Sequence, residues 1–532
     1  MRVTRWGLMA AAAAAGVGSG AFAQTQTSSQ PRAPAPAPAP APARAQGDTD
    51  TLREALEQTY RSNPTLMAQR ERLRSLDESV AIARAGLRPN VSATAGLNQD
   101  LFNNNSGEGR NFSLGVDVSY PLFNADRVRN QIRAADARVE AGRADLRGTE
   151  GDIFTEAVGV YMDVIRDRSI VALNENQVRV LQTNLEATRD RFEVGDLTRT
   201  DVAQSEARLA LAQSALATAQ GRLRGSEEAF RRVIGTLPDD LEPPPTLPRL
   251  PPTPDEAVAI ALDNNPDLRA VANQVRAAGL DIDVLRADRL PTVNAVGSGD
   301  YLNRLGSAAE LLSGPPVPGQ SLPPNEVAGV GVGVQARIPI YQGGLVGARV
   351  RQSSAFRSQL IEQAIETERL VIARTRAAFA SYRAALEAIE SNEIAVAANQ
   401  LALEGTRAEQ TVGTRNVLDV LNAEQELLNS EVQLVTARRD AYVAGFALLN
   451  AMGRAEAEDL GLDGGPLYDP VANYNRTTRR ASDWNDGDDE DRQPVSTRTA
   501  PLNATSPIGA LIGPVDPAAQ GRAIDPVTGR PQ

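Results

Sequence analysis

Apolar side chains recur every seven residues along two very long stretches of the chain. The first stretch runs from about Asp126 to Glu193 and the second from about Leu345 to Gln410. A seven-residue period is typical of helices that pack along one another as a coiled coil. At 1.5 Å per residue, each stretch predicts a helix roughly 100 Å long, several times the ~30 Å span of a small domain. The repeating positions are Ile132, Val139, Leu146, Ile153 and Val160 in the first stretch, and Ile365, Ile372, Phe379 and Leu386 in the second.

A shorter helix is predicted to return along each long one. Val194-Gly195 and Val412-Gly413 mark the ends of the long helices, because glycine readily adopts the left-handed conformation of a helix C-cap. Beyond each stop the seven-residue period resumes, with mostly small residues three positions after the large ones. This pattern lets helices approach closely, although an ordinary coiled coil explains it too. The repeating positions are Val202, Leu209, Leu216, Leu223 and Phe230 in one helix and Val420, Leu427, Leu434, Ala441 and Leu448 in the other.

A leading helix is also predicted before each long one, from about Thr51 to Ala85 and from about Pro254 to Arg289. A leading helix and a return helix together match the length of one long helix. We therefore expect two short helices, stacked end to end, to line each long helix. The shape that this implies is a rod about 100 Å long.

Four segments between the leading and long helices alternate apolar and polar residues, which predicts strands. Segments of about ten residues with this pattern are typical of tilted strands that cross an outer membrane. Two solvent-facing hairpins that cap a helical bundle would show similar alternation. Four strands cannot close a barrel, and lipid does not tolerate an open edge, so a membrane location requires several chains to pool their strands. The apolar positions are Val91, Ala93, Ala95 and Leu97; Phe112, Leu114, Val116, Val118 and Tyr120; Val293, Ala295, Gly297 and Tyr301; and Val330, Val332, Val334, Ala336 and Ile338.

The whole order of elements occurs twice. Asn63-Pro64 recurs as Asn265-Pro266 at an offset of 202 positions, whereas Val194-Gly195 recurs as Val412-Gly413 at an offset of 218. The second copy therefore contains 16 extra residues, around Gly314 to Gly319. An insertion of this kind predicts a longer exposed loop between its two strands.

The two ends of the chain lack this pattern. The N-terminus has two arginines, a short apolar stretch and the cleavage site Ala21-Phe22-Ala23, which together predict a cleaved secretory signal peptide. No apolar run in the folded part reaches the roughly 18 residues of a membrane-spanning helix, so none is expected. The predicted divisions are a signal peptide (1–23), an Ala/Pro-rich disordered segment (24–49), the first repeat (50–237), a Pro-rich linker (238–253), the second repeat (254–453), an extension (454–468) and a disordered acidic tail (469–532).

Composition limits the possible chemistry. The chain has 532 residues, a formal charge of −12, 4% aromatic residues, and neither Cys nor His. The missing residues exclude disulfides, Cys/His zinc sites, haem with His or Cys ligands, Cys nucleophiles, Ser-His-Asp triads and a lipid anchor on Cys. The acidic balance argues against nucleic-acid binding. A hydrolase with paired carboxylates needs two acids in one pocket, and the acids here lie on solvated helix faces or in the tail. We therefore predict no catalytic residue, metal or cofactor.

Taken together, these features resemble the TolC-type outer-membrane channels of Gram-negative efflux and type I secretion systems. The resemblance covers about Asp50 to Gly453. It implies an α+β membrane protein: a homotrimer whose twelve-stranded outer-membrane β-barrel, with four strands per chain, continues as a long periplasmic α-helical barrel. The motifs that carry it are Asn63-Pro64, Asn265-Pro266, Tyr120-Pro-Leu-Phe123, Ile338-Pro-Ile-Tyr341 and Val412-Gly-Thr-Arg-Asn-Val-Leu-Asp-Val-Leu-Asn-Ala423.

The same resemblance implies the location and the partners. The protein is expected in the outer membrane, extending into the periplasm, without catalysis of its own. Its expected partners are outer-membrane lipid, a periplasmic adaptor (membrane fusion) protein and an inner-membrane ABC or proton-driven transporter. Because it lacks a Cys for lipidation, the chain resembles the TolC-proper and type I secretion branch of the family more than the lipoprotein efflux branch. The extension at 454–468 is expected to be equatorial.

The resemblance also implies a gate at the periplasmic tip, where the turns at Gly195 and Gly413 are expected. Arg415 and Thr200 are implied as a closing link between the two helix pairs, and Asp201 as a further linking residue. Such links are expected to hold a resting state shut until a partner opens it.

Three more positions belong to this implied gate. Asp419 is implied as a carboxylate ring at the aperture. Asn422 stands where a second ring carboxylate is expected, and Gln410 stands where a Tyr partner for Asp201 is expected. These departures predict weaker cation binding by the ring and put the link between Gln410 and Asp201 in doubt.

A structural explanation competes with the gate for two of these residues. Asp201 and Asp419 are repeat equivalents near helix starts, where the helix dipole stabilises a carboxylate by roughly 0.3–1 kcal/mol. Arg415 and Thr200 differ, because Leu197 and Leu418 occupy their equivalent positions. A need shared by both helices does not account for them, which favours a role for one copy alone.

Two functions remain open from the sequence. The first is a passive exit duct for type I protein secretion, small-molecule efflux or both. The alternative is a periplasmic coiled-coil adaptor or structural rod without membrane strands. A salt or carbonate wash would release the rod, whereas only detergent would extract the duct.

Overall fold

The computed structural model describes residues 51–99, 110–307, 321, 324–462 and 467–484. The predicted signal peptide, the Ala/Pro-rich segment and the acidic end of the tail lie outside these ranges. So does the inserted loop of the second copy around Gly314 to Gly319.

One order of six elements occurs twice along the described chain. The first copy contains α1 (Leu52–Ser62), α2 (Pro64–Ala85), β1 (Asn90–Gln99), β2 (Arg110–Phe123), α3 (Arg127–Glu193) and α4 (Arg199–Ile234). The second contains α5 (Pro254–Asn264), α6 (Pro266–Ala287), β3 (Thr292–Asn303), β4 (Glu326–Arg337), α7 (Leu345–Thr411) and α8 (Val417–Ala451). A short helix, α9 (Pro470–Thr477), follows.

The long helices agree with the prediction. Helices α3 and α7 contain 67 residues each, which corresponds to about 100 Å. Most of the predicted seam of α3 is buried, with Val139, Leu146, Ile153 and Val160 all at most 8% exposed. Within the described residues, no helix combines the length and the hydropathy needed to cross a bilayer.

The leading helices differ from the prediction, because each is broken into two. Proline has no N–H to donate and disfavours helical geometry in the residue before it. Asn63 accordingly has φ −65° and ψ 121°, and Asn265 has φ −58° and ψ 126°. The side chain of Asn63 donates to the carbonyl of Val233 at 3.0 Å. Asn265 makes the matching bond, at 3.2 Å, to the carbonyl of Ala451, so each break is tied to the end of a return helix.

The four strands form one antiparallel sheet in the order β1-β2-β3-β4. The two copies meet at its centre, where Val118 of β2 lies opposite Gly297 of β3. The four predicted strands are present, and they contain 10 to 14 residues. Within the described residues, β1 and β4 are the edges of this sheet.

The described chain divides into two compact units. The first contains residues 51–63, 153–249 and 381–446, and the second contains 64–152, 250–380 and 447–484. An aromatic core stabilises the first unit, because Phe154, Tyr161 and Phe230 are fully buried. The Tyr161 and Phe230 rings lie 6.3 Å apart, and Tyr60 lies 6.2 Å from Phe154. The sheet belongs to the second unit.

The start of the C-terminal tail also differs from the prediction. Disorder was expected from residue 469 onward, yet Pro470–Thr477 forms helix α9, which begins at an Asp469 N-cap. Asn473 donates to the fully buried carboxylate of Asp77 at 2.8 Å. The Tyr474 hydroxyl donates to Asp136, also at 2.8 Å. These specific polar contacts order the segment despite its polar, Pro-containing sequence.

Candidate functional site: the two helical turns

The turn between α3 and α4 is closed by a left-handed glycine. Gly195 has a φ of +83°, which glycine adopts without the steric cost that a Cβ would impose. Asp196 N donates to Arg191 O at 2.9 Å, and Gly195 N donates to Phe192 O at 3.0 Å. This pair of hydrogen bonds is the Schellman motif that satisfies the last carbonyls of a helix.

The turn between α7 and α8 has the same backbone. Gly413 has a φ of +82°, and its N–H donates to Gln410 O at 3.0 Å. Thr414 N donates to Glu409 O at 3.0 Å. Each group lies 218 positions after its counterpart in the first turn, so the predicted glycine caps are confirmed in both copies. Any functional difference between the turns must come from side chains.

Asp201 caps its own helix. Thr198 is the N-cap of α4, and Asp201 completes a capping box with it. The Asp201 carboxylate accepts from the Thr198 N–H at 2.8 Å and from the Thr198 hydroxyl at 2.7 Å. The hydroxyl bond, followed by the backbone bond, lowers the pKa of Asp201 below its usual value. The capping explanation therefore accounts for Asp201 within one chain.

Asp419 is held differently at the equivalent position. Asn416 caps α8 by accepting from the Asp419 N–H at 2.8 Å. The Asp419 carboxylate lies 3.8 Å from Nη1 of Arg415. The repeat equivalents Asp201 and Asp419 thus share a place in the helix but not a side-chain partner.

Arg415 lies between two carboxylates of its own copy. Its Nε donates to Glu409 at 2.9 Å, in addition to the longer contact with Asp419. The hydrogen bond to Glu409 raises the pKa of Arg415, so the guanidinium is charged at any physiological pH. These contacts join the end of α7 to the start of α8 across the turn. The implied link from Arg415 to Thr200, which is exposed in the first turn of α4, stays a prediction.

Asn422 has a partner that the sequence did not indicate. Arg208 of α4 donates to the side-chain oxygen of Asn422 at 2.8 Å. An amide at this position thus accepts a hydrogen bond from the first copy's helix pair. The Gln410 side chain is half-buried, and its implied link to Asp201 stays a prediction.

A buried carboxylate near the turns was also missed. Glu424 of α8 is almost fully buried, accepts from Arg407 at 3.0 Å, and lies 3.2 Å from the Asn184 amide through both of its oxygens. A sequence signal existed, because the Arg and Glu of this pair recur as Arg189 and Glu206 in the first copy. Only the structure shows that the two pairs differ in burial.

Comparison with known proteins gives one consistent result. A family model described as outer membrane efflux protein matches residues 55–236 and 257–454. The chain is 35% identical over 430 residues to the outer membrane efflux protein BepC of Brucella suis, across 80% of this chain and 90% of that protein. It is 26% identical over 424 residues to the outer membrane protein TolC of Vibrio cholerae, across 77% and 92%. The solved CmeC outer membrane channel of Campylobacter jejuni superposes with a TM-score of 0.65 at 14% identity, across 80% and 89%.

The matched residues cover nearly all of both repeats and include both turns. The likeness to CmeC confirms the predicted α+β channel fold, and the family confirms the predicted outer-membrane location. Channel and transport proteins, rather than known enzymes, make up this family. The chain belongs to the outer membrane efflux protein family.

Proposed function

We propose that this protein is the passive outer-membrane exit duct of a tripartite export system, serving type I protein secretion, small-molecule efflux or both. Three chains form it, and it opens at the helical turns when periplasmic partners dock. The observation that carries the proposal is a four-stranded sheet with two open edges and an exposed apolar face.

The sheet is incomplete as one chain presents it. Val330, Val332 and Val334 of the edge strand β4 are 90%, 92% and 68% exposed. Such apolar exposure is unfavourable in water but is expected of a lipid-facing strand. Lipid in turn excludes open strand edges, because unpaired backbone groups cost several kcal/mol each there. Pairing of β4 with β1 of the next chain satisfies both requirements, and three chains supply twelve strands.

Helix α7 supports the same assembly. Its predicted seam residues Ile365 and Leu386 are 40% and 39% exposed in the single chain. A seven-residue apolar period on an exposed helix face is typical of a face that packs against another helix. We assign this face to a neighbouring copy of the chain.

The partners follow from the channel role. The chain carries no predicted nucleotide or redox chemistry, so energy for export has to come from another protein. We propose an inner-membrane ABC or proton-driven transporter, joined to the duct by a periplasmic adaptor. The duct catalyses nothing itself. The adaptor docks at the two turns and separates the contacts that hold the resting state.

Extraction and reconstitution test the duct. We expect the mature protein to resist carbonate, to dissolve in detergent as a trimer, and to form ion-conducting pores in planar bilayers. Release by carbonate as a monomer that forms no pore would contradict the duct and favour the structural rod.

Arg415→Ala tests the gate within that duct. Removing the guanidinium frees the Glu409 and Asp419 carboxylates across the turn, so we expect a severalfold rise in single-channel conductance. Arg189→Ala is the control for loss of an arginine, because Arg189 is an exposed arginine of the first copy that pairs with Glu206 at 2.6 Å. An unchanged small conductance for Arg415→Ala would remove Arg415 from the gate and leave the duct intact.

A further inference from the structure

An Arg–Glu pair occurs at matched positions near both turns. In the first copy, Arg189 of α3 contacts Glu206 of α4 at 2.6 Å. In the second copy, Arg407 of α7 contacts Glu424 of α8 at 3.0 Å. Each pair joins a long helix to its own return helix, and the two pairs are 218 positions apart. The pair is therefore an inherited feature of the repeat.

Burial separates the two pairs. The Glu206 side chain is 49% exposed, whereas the Glu424 side chain is 3% exposed. An exposed ion pair is screened by solvent and contributes little. A buried carboxylate depends much more on its partners than an exposed one does, because losing a partner leaves an uncompensated buried charge.

Glu424 also has a partner from the other copy. The amide of Asn184 on α3 lies 3.2 Å from both carboxylate oxygens. The position equivalent to Asn184 in the second copy is Ala402, which has no side-chain amide. The contact thus exists once per chain, and it connects α3 of the first helix pair to α8 of the second.

A second hydrogen bond connects the same two helix pairs close to the Asn184–Glu424 contact. Arg208 of α4 donates to Asn422 of α8 at 2.8 Å. Asn422 and Glu424 lie within the first two or three turns of α8, so both contacts are about 10 Å or less along the helix from the turn. Helix α8 is therefore held to both helices of the first pair at this level.

We propose that Glu424 is the residue that fastens the two helix pairs of one chain together near the turns, with Asn184 as its partner across the copies. This proposal rests on the gated duct proposed above and adds the position at which the gate is held within each chain. Opening requires the Asn184–Glu424 contact to separate. The ion pair between Arg407 and Glu424 remains, because it lies within the second helix pair, α7 and α8. Glu424 is a positioning residue, since it acts through the helices rather than on the cargo.

The test compares three single variants of the full-length mature protein in planar bilayers. Glu424→Gln removes the charge with little change in volume. Asn184→Ala removes only the partner across the copies. Glu206→Gln makes the same chemical change at the exposed matched site. We expect the first two to raise the fraction of time spent in the high-conductance state about tenfold, the effect of losing one charge-assisted hydrogen bond, and Glu206→Gln to leave it unchanged.

A crosslink between the two positions tests whether locking this contact keeps the channel closed. The chain contains no Cys, so Asn184→Cys combined with Glu424→Cys introduces only two thiols per chain. A short bis-methanethiosulfonate crosslinker, which forms a disulfide with each thiol and releases methanesulfinate, should hold the channel in its low-conductance state, and reductant should release it. This double variant and Asn184→Ala keep the proposal testable even if Glu424→Gln fails to fold.

The outcomes separate this proposal from the duct itself. Stable conducting trimers in which Asn184→Ala behaves like the parent, or in which Glu206→Gln opens as much as Glu424→Gln, would overturn the role of Glu424 alone. Protein that never forms a pore in any variant would overturn the duct.

Discussion

The long helices of the two copies present the same face to different surroundings. Four positions spaced by seven residues occupy this face in each helix, and the two sets are 218 positions apart. Helix α3 has Arg147, Phe154, Tyr161 and Arg168 there, whereas α7 has Ile365, Ile372, Phe379 and Leu386.

The chain covers this face of α3 with segments that occur only once. Arg147 binds the carboxylate of Glu456 in the extension, with Nε–O distances of 2.8 and 2.9 Å. The Tyr161 hydroxyl donates to the Glu242 carbonyl of the linker at 2.7 Å. Arg168 donates to the linker carbonyls of Pro238, at 3.1 Å, and of Asp239. The polar groups of Arg147, Tyr161 and Arg168 on this face of α3 therefore bind the linker and the extension.

The same face of α7 is entirely apolar, and its end positions Ile365 and Leu386 remain exposed. A duplicated helix has thus been used in two ways. One copy completes the fold of its own chain, and the other leaves apolar side chains exposed on the face that we assign to a neighbouring chain. Changes at matched positions should therefore have different consequences in the two copies.

The largest effect is expected from Leu386→Asp. In the proposed trimer this change would bury an unpaired carboxylate at each of the three interfaces, at a cost of several kcal/mol per charge. We expect assembly to be lost, as measured by the native mass in detergent, while far-UV circular dichroism shows the helices retained. Leu386→Ala serves as a milder control that shortens the side chain without adding charge. A fully trimeric Leu386→Asp protein would show that this face of α7 is not an interface.

A somewhat smaller effect is expected in the core of the first unit. Phe154→Ala empties a fully buried site and should lower the free energy of unfolding by about 3–5 kcal/mol. Its repeat equivalent, Ile372, is only half-buried in the single chain, so Ile372→Ala should mainly weaken the trimer. Urea unfolding and native mass, measured on both variants, distinguish the two effects. Equal losses in unfolding free energy would contradict the asymmetry.

The smallest effect concerns a matched pair of glutamates. Burial raises the pKa of Glu150 to about 7, against the backbone hydrogen bond from Ala457 and the nearby Arg70 and Arg147. Because this folded-state pKa lies above the unfolded value, the stability contribution is fully present below about pH 4.5 and is lost as pH rises through about 7. We expect on the order of 2 kcal/mol less stability at pH 8 than at pH 5 from this group.

Substitution checks that assignment. Glu150→Gln keeps an acceptor for the Ala457 N–H, which lies 2.6 Å from the carboxylate, and should flatten the pH dependence of the urea midpoint between pH 5 and 8. Glu368→Gln is the matched control, because Glu368 is the exposed repeat equivalent. An unchanged slope in Glu150→Gln would show that Glu150 does not titrate in this range.

Much of the fold could be predicted because periodicity survives in the sequence. The seven-residue pattern predicted the long helices, and the two-residue pattern predicted the four strands. The repeated Val-Gly stops predicted both turns. The breaks at Asn63 and Asn265 were missed because the helical pattern was carried through each Asn-Pro pair. Helix α9 was missed because its order depends on distant partners such as Asp77, which no local pattern records.

The candidate site was less predictable. The glycine caps follow from local backbone chemistry, and so does the capping role of Asp201. The contacts of Asn422 and Glu424 join residues more than 200 positions apart, so spacing along one helix cannot indicate them. Comparing the two copies brings out the Arg–Glu pairs, but only the folded chain shows which pair is buried.

Disulfide trapping between the two sheet edges tests most directly whether several chains share one barrel. Thr94→Cys on β1 would be combined in turn with Gly329→Cys, Gly331→Cys and Gly333→Cys on β4, which lie on the same face of the sheet as Thr94, in a chain that otherwise has no Cys. Neighbouring antiparallel strands bring opposed Cα atoms to about 4.5–5.5 Å, within disulfide reach. The account predicts covalent dimers and trimers after oxidation in intact cells, strongest for one register. Only monomers at every register would contradict it.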